Sequence, residues 1–444
     1  MFLFLPFVPF LELRHLACDL IVFFFGRHYG VLELFQGFAG QFGLFFFRLG
    51  LLDPSFACDA IYFVKTMANG MDSYVLLAVP LFMLSSSIMA ESGLSGRLFN
   101  VFSYFFGNLP AGLPIAVVIT CLFYGAICGS GPATVAAIGT MCIPLLTKLG
   151  YDKDFVTSMI AVAGGLGVII PPSIPFITYG LCTGASIGDL FIAGFMPGLL
   201  IGLFIVFYVI YYFARHDNSN LCIEAYTQEL RSKGFLRILK EGFWALLAPV
   251  IILGGIYGGI VSPTEAAGVS VVYALLIGVV AYREINFKKF IKCLVDTGHT
   301  ATPVMLILGI CIVFGRVLSM LRIPQTLATF VTSNIESKIA VLLAINLFLL
   351  VAGMLMDTIP CILILAPIFL PIVQAYNVDI VHFGILMTCN LAIGFVTPPI
   401  GTNLFVAQSL TKIPITRIAK HAVPFLTMFL VALLVITFVP RSPP

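Results

Sequence analysis

The chain has 444 residues, 60% of them hydrophobic and 10% charged, with a mean hydropathy of +1.10. Soluble domains carry roughly 25% charged residues, so there is too little polar surface here to cover a soluble fold, and an all-α integral membrane protein is expected. A net charge of +3 implies no nucleic-acid partner, and the 11 scattered cysteines, with no CxxC pair, read as small apolar core residues.

Residues 1–53 are rich in Phe but interrupted by Arg14, His15, Asp19, Arg27, His28, Glu33 and Arg48. No clean span of about 20 residues emerges there, and the segment is set apart as an atypical N-terminal hydrophobic stretch. No cleavable signal peptide is evident, so the first helices are expected to act as the membrane address. Residues 54–110 follow as scaffold, with an apolar run at 74–90.

Residues 111–197 behave differently. "AGLPIAVVITCLFYGAIC" (Ala111–Cys128) runs into "GSGP" (Gly129–Pro132), and only 14 residues, Ala133–Leu146, separate that turn from a polar loop. Fourteen helical residues cover about 21 Å against a hydrocarbon core of about 30 Å. A re-entrant hairpin with its tip at Gly129–Pro132 is therefore expected. A further apolar stretch, about 156–186, contains "GVIIPPSIPFITYG" (Gly167–Gly180). Proline lacks the helical N–H and clashes with the preceding turn, so Pro171 and Pro172 should break this helix inside the membrane.

Residues 198–336 return to scaffold, with apolar runs at 198–214, 243–261, 265–282 and 301–320. Loops 215–241 and 283–292 hold Arg215, Arg231, Lys233, Arg237 and Lys240, and Arg283, Lys288, Lys289 and Lys292. By the positive-inside rule both lie in the cytoplasm. The runs between them form an out-and-back hairpin turning at "VSPTEAAG" (Val261–Gly268). Ser262, Pro263 and Glu265 fit the N-cap, first and third positions of a capping box; a coupling acid is the alternative role for Glu265. Residues 337–440 then repeat the earlier pattern. The hairpin tip is "MDTIP" (Met356–Pro360), followed by the short Cys361–Val373. The broken helix, about 381–411, holds "GFVTPPIGTNLFV" (Gly394–Val406), and a last run covers 421–439.

The two halves share one register. Pro144 precedes Pro171 by 27 residues, as Pro371 precedes Pro398; Pro172 precedes Pro197 by 25, as Pro399 precedes Pro424. "GYD" (Gly150–Asp152) falls opposite "NVD" (Asn377–Asp379) at the same offset of 227. Gapless agreement of this kind indicates duplication. Loop 147–155 carries Lys148 and Lys153 whereas 374–382 carries neither Lys nor Arg; one helix later 185–193 carries none and 412–420 carries Lys412, Arg417 and Lys420. Positive-inside puts 147–155 and 412–420 in the cytoplasm and the other two loops outside, so the repeats are inverted.

Each repeat brings a hairpin tip and an unwound helix centre to similar depth. Irregular backbone is tolerated there only where it is buried in protein or lines a polar cavity. The prolines should leave the carbonyls of Gly167, Val168, Gly394 and Phe395 without helical partners. With Ser130, Thr134, Ser173, Asp357, Thr358, Thr397, Thr402 and Asn403, those carbonyls form an oxygen set suited to a small hard cation, and the helix N-termini at the tips favour an anion. The architecture is that of an inverted-repeat secondary transporter.

At these residues the chain resembles the large membrane subunit of tripartite ATP-independent periplasmic (TRAP) transporters, DctM type. The resemblance rests on six segments in order: "PLFMLSSSIMAESGLS" (Pro80–Ser95), "GSGPATVAAIG" (Gly129–Gly139), "GLGVIIPPSIPFITYG", "GGIYGGIVSPTEAAGV" (Gly254–Val269), "MDTIPCILILAPIFLPI" (Met356–Ile372) and "HFGILMTCNLAIGFVTPPIGTNLFVA" (His382–Ala407). It implies an elevator fold, in which re-entrant hairpins and broken helices move against a scaffold. It also implies sodium-driven import of an organic anion, a C4-dicarboxylate or a sugar acid such as sialic acid, across the bacterial inner membrane. A periplasmic substrate-binding protein and a small four-helix membrane subunit would be partners; some members fuse the two subunits, and nothing in this chain supplies the extra helices. Carried over, Gly129, Ser130 and Gly131 with Gly167, Pro171 and Ser173 would hold one sodium ion. Met356, Asp357 and Thr358 with Val396, Thr397 and Thr402 would hold another. The substrate would lie between the tips, near Ser130, Thr134, Thr358 and Asn403. Two departures stand out: residues 1–53 do not resemble the usual N-terminal helix, and Cys128 stands where many members carry Ser.

An enzyme is not expected. Ser130 in "GSG" lacks a GxSxG frame, and no Lys follows to make a phosphate loop. A channel shares re-entrant hairpins but usually assembles several subunits around one pore. The nearest rival is a dicarboxylate–sodium symporter of similar elevator architecture that works without a binding protein.

Overall fold

The computed structural model describes residues 60–109, 111–216 and 221–439; the N-terminal stretch 1–53 lies outside them. The chain divides into units Met1–Phe63 and Val64–Pro444. Of the first unit only the opening turn of helix α1 (Ala60–Met71) is described, and every later helix belongs to the second.

All regular structure among the described residues is helical. A 3₁₀ turn at Tyr74–Leu77 leads into α2 (Ala78–Glu91), followed by α3 (Leu94–Phe106). The first repeat comprises α4 (Gly112–Cys128), α5 (Gly131–Lys148), α6 (Lys153–Ala163) with a 3₁₀ turn at Gly164–Val168, α7 (Ile174–Thr183) and α8 (Ile187–Arg215). Next come α9 (Leu221–Ser232), α10 (Phe235–Tyr257), α11 (Pro263–Leu276), α12 (Phe287–Met320) and α13 (Ile323–Asn334). The second repeat is α14 (Lys338–Leu355), α15 (Thr358–Ala375), α16 (Ile380–Gly394), α17 (Thr402–Thr411) and α18 (Ile415–Phe438). Helices α6 and α16 begin 227 residues apart behind aspartate N-caps, Asp152 and Asp379, as the repeat predicts.

Seven helical segments among the described residues are long and apolar enough to cross a membrane, including Tyr74–Glu91, Ile187–Arg215, Pro263–Ala281, Phe287–Met320 and Ile415–Phe438. The expected run at 243–261 lies mostly in α10, which ends at Tyr257. Glu265 closes the capping box: the Ser262 N–H donates to its Oε2 at 2.7 Å, and its own N–H donates to Ser262 Oγ at 3.3 Å.

Three expectations need correction. The second hairpin arms, α5 and α15, are each 18 residues long, about 27 Å, so length alone does not stop them from crossing. Gly131 and Pro132 belong to α5 because glycine and proline fit the first helical turn, where no N–H is required. Secondly, 215–241 and 283–292 are not plain loops: the first contains α9 and the start of α10, and the second enters α12 at Phe287. Hydropathy marks where lipid would begin, not where the helix does. Thirdly, the scaffold boundary at residue 198 falls inside α8, which continues through Pro197.

The charge-paired loops meet in space. Lys153 Nζ donates to Thr411 O at 3.0 Å, Ser158 Oγ to Ile418 O at 2.8 Å, and Arg417 pairs with Asp154. At the opposite end Tyr179 donates its hydroxyl to Ile380 O at 2.8 Å. Thus 147–155 adjoins 412–420, and α7 itself reaches the start of α16 at the opposite end, an arrangement compatible with inversion. Lys148→Cys and Gln374→Cys, each in a background without native cysteines, should be labelled by an impermeant maleimide from opposite faces, Lys148→Cys from the cytoplasm. Labelling of both from one face would end the inverted topology.

The Asp154–Arg417 pair gives a second expected result. The Asp154 side chain is 7% exposed and that of Arg417 65%. Arg417→Ala leaves a buried carboxylate unpaired and should cost about 2 kcal/mol, below the 3–5 kcal/mol of fully buried pairs because the guanidinium is solvated. Asp154→Ala returns the arginine to water and should cost less. Thermal unfolding in detergent checks the order, and a larger loss in Asp154→Ala would contradict it.

Candidate functional site

Gly129 turns the first hairpin with φ 64°, and Ser130 is extended at φ −140°. A side chain at Gly129 would place its β-carbon 2.7 Å from Pro172 O, so the tip sits against the first break. Ile174 N donates to Gly129 O at 3.4 Å. Behind the tip, a β-carbon on Gly125 would lie 2.7 Å from Gly167 Cα. The second repeat reproduces the contact: Ile400 N donates to Met354 O at 3.3 Å, and a β-carbon on Gly394 would lie 2.4 Å from the Gly353 carbonyl. The sequence reading missed this glycine pairing, though its signal was present: 42 residues separate Gly125 from Gly167 and 41 separate Gly353 from Gly394.

Both breaks fall at the double prolines, each of which has a cis bond. Three of the four carbonyls expected to lose helical partners gain others. Val168 O accepts from Ser173 Oγ, Gly394 O from Thr397 N at 3.1 Å, and Phe395 O from Asn403 N at 3.0 Å. Each retains one lone pair. The breaks also differ in setting, since Pro171 and Pro172 are buried whereas Pro398 and Pro399 are exposed.

Of the first set of predicted residues, Gly129 lies against Pro172 and Ile174, Ser130 and Thr134 lie against Gly167, and Gly131 faces Gly164 and Asn403. Two hydroxyls there are engaged, Thr134 Oγ1 donating to Ser130 O at 2.8 Å and Ser173 Oγ donating to Val168 O. In the second set Met356 and Asp357 form the tip, Thr358 opens α15, and Val396 and Thr397 lie in the break. Thr397 Oγ1 donates to Ile393 O at 2.8 Å.

Asn403 reaches the first tip. Its Nδ2 donates to Ala161 O at 2.9 Å in the first repeat, and its Oδ1 lies 3.2 Å from the position of a β-carbon on Gly131. The second repeat thus lends a carboxamide to the first site. Helix packing follows the same exchange, with α5 on α17 and α15 on α7.

Two features make the tips unusual. Nine described α-helices have Ser, Asp or Asn at the N-cap, and in seven that side chain caps the helix. The two that do not are Ser130 and Asp357, 227 residues apart. In addition, Thr358 Oγ1 at the second tip and Thr402 Oγ1 and Asn403 Oδ1 after the second break are three of seven buried side-chain oxygens among the described residues without a hydrogen-bond partner. Buried polar atoms are ordinarily satisfied. Oxygen-rich and free of any His/Cys/Asp/Glu cluster among the described residues, this donor set suits a hard cation better than a transition metal.

Comparisons with known proteins identify the family. The family model described as "Tripartite ATP-independent periplasmic transporter, DctM component" matches residues 20–442. The C4-dicarboxylate TRAP transporter large permease protein DctM of Pseudomonas aeruginosa is 40% identical, over 83% of this chain and 85% of its own length. The sialic acid TRAP transporter large permease protein SiaM of Vibrio cholerae is 33% identical, over 91% and 94%. The isethionate TRAP transporter permease protein DctMQ of Oleidesulfovibrio alaskensis is 40% identical over 86% of this chain, which spans 59% of that longer protein. Among solved structures, the Alcanivorax borkumensis YdaH transporter superposes with a TM-score of 0.58 at 14% identity, covering 87% of this chain and 89% of that one. Neisseria gonorrhoeae MtrF superposes at 0.62 and 12% identity, covering 88% and 87%. The fold is shared with these transporters, and the sequence itself places this multi-pass membrane protein in the DctM family, the large permease subunits of TRAP transporters for organic anions.

Proposed function

We propose that this chain is the transporting subunit of a sodium-coupled importer of an organic anion in the bacterial inner membrane. It would work with a small four-helix membrane subunit and a periplasmic substrate-binding protein. The observation carrying this reading is the matched pair of uncapped tips, Ser130 and Asp357, each held against a helix break in its own repeat. An oxygen withheld from its helix is free for a cation, and the uncapped N-terminus behind it favours an anion. One cation site comprises Gly129–Gly131 with Gly167–Ser173 and the Asn403 carboxamide; the other comprises Met356–Thr358 with Val396–Thr402. The anion lies between the tips, near Ser130, Thr134 and Thr358. The hairpins are re-entrant, and with the broken helices they form the body that moves in an elevator cycle.

The substrate classes in its relatives' names, C4-dicarboxylate, sialic acid and isethionate, define the panel to test. The chain should be reconstituted with its small subunit in liposomes under an inward sodium gradient. Uptake of one of these anions is expected only when the binding protein is present outside, and replacing sodium with choline should remove it. Uptake without the binding protein would favour a direct symporter.

A further inference from the structure

We propose that Asn346, Asn390 and Thr437 form a positioning relay that sets the cation affinity of the second tip and has no equivalent in the first repeat. The proposal rests on reading Met356–Thr358 and the adjacent break as a cation site. Asn390 on α16 is fully buried, Asn346 on α14 is 5% exposed, and Thr437 on α18 is 3% exposed. Asn390 Nδ2 donates to Leu386 O at 2.8 Å and to Asn346 Oδ1 at 2.9 Å. Asn346 Nδ2 donates to Thr437 Oγ1 at 2.9 Å, and that hydroxyl donates to Leu433 O at 2.8 Å. The donors therefore run in one direction across three helices and end on a backbone carbonyl. Hydrogen bonds of this kind between apolar helices are directional in a way that packing is not.

Their position gives them an effect on the site. Asn390 lies one turn before Gly394 on the same face of α16, and Asn346 two turns before Gly353 on α14. Gly353 and Gly394 are the backbone contact on which the second tip rests, and Ile400 N reaches Met354 O just beyond it. Sliding α14 along α16 would break the Asn346–Asn390 bond before it displaced the tip. At the 227-residue offset the first repeat has Ile119, Ala163 and Ile210, all apolar. Its tip is held by the glycine contact without a polar register lock.

The test uses the full chain in detergent, with the sodium-dependent rise in Tm titrated against choline chloride. In Asn346→Leu/Asn390→Leu both amides are removed together and the Thr437 hydroxyl keeps its bond to Leu433 O, so the sodium-free Tm should stay close to that of the parent protein. Half-maximal stabilisation should need about tenfold more sodium, moving towards the curve of Asp357→Ala. Thr437→Val should shift the midpoint about threefold while Thr437→Ser, which keeps the hydroxyl, leaves it in place. Should the double variant not fold, the Thr437 pair decides. Equal sodium affinity in Thr437→Val and Thr437→Ser overturns the relay, as does an unchanged midpoint in the double variant, provided Asp357→Ala shifts it. If Asp357→Ala has no effect on the sodium response, the reading of the tip itself fails and the relay falls with it.

Discussion

Gly394→Ala should abolish sodium-dependent uptake while Gly353→Ala, across the same contact, should be milder. A β-carbon on Gly394 would stand 2.4 Å from both the carbonyl carbon and oxygen of Gly353, and 2.7 Å from its Cα. All three are backbone atoms of α14, so no side chain can turn aside and the helices must separate by about an ångström. Overpacking of this kind costs about 3 kcal/mol, and the displaced helix carries the second tip. Seen from the other side, a β-carbon on Gly353 would meet Leu391 at 3.2–3.3 Å, tight but open to small adjustment. Uptake in proteoliposomes and Tm in detergent should both rank parent, Gly353→Ala, Gly394→Ala. Normal uptake by Gly394→Ala would show that the tip need not rest on the break.

Much of this arrangement was legible because the governing physics is local. A proline without an N–H interrupts a helix wherever it falls, and the common register of Pro171–Pro172 and Pro398–Pro399 made one break interpret the other. Lys148 and Lys153 against Lys412, Arg417 and Lys420 pointed to inversion, and the Lys153–Thr411 and Asp154–Arg417 contacts are compatible with it. What escaped reading was tertiary. The arms α5 and α15 are longer than their apolar centres because terminal turns accept Gly, Pro and Thr, which hydropathy scores as loop. The role of Asn403 depends on packing between residues 242 apart. A hint lay in the broken symmetry, since the register places Phe176 opposite Asn403, so the carboxamide has no counterpart in the first repeat.

Asp357→Ala should raise the sodium concentration for half-maximal uptake at least tenfold while leaving Tm in sodium-free buffer nearly unchanged. The reasoning turns on what its carboxylate does not do. Aspartate at an N-cap ordinarily accepts from the second or third N–H of its helix, and its replacement by alanine costs about 1 kcal/mol of stability. Asp379 is such a cap, accepting from Val381 N at 2.9 Å and His382 N at 3.0 Å. Asp357 makes no cap bond to α15, so alanine there removes little that holds the helix. It does remove the only acidic oxygens at the second tip, and a contact to a charged group is worth about 1.5–3 kcal/mol, or one to two decades in affinity. Ser130→Ala at the first tip removes a neutral hydroxyl, worth about 1 kcal/mol, and should shift sodium dependence only several-fold. Asp379→Ala supplies the contrast, with a lower Tm and sodium dependence like that of the parent. If instead Asp357→Ala melts early and keeps its sodium affinity, the carboxylate at the second tip is structural and the cation must be held elsewhere.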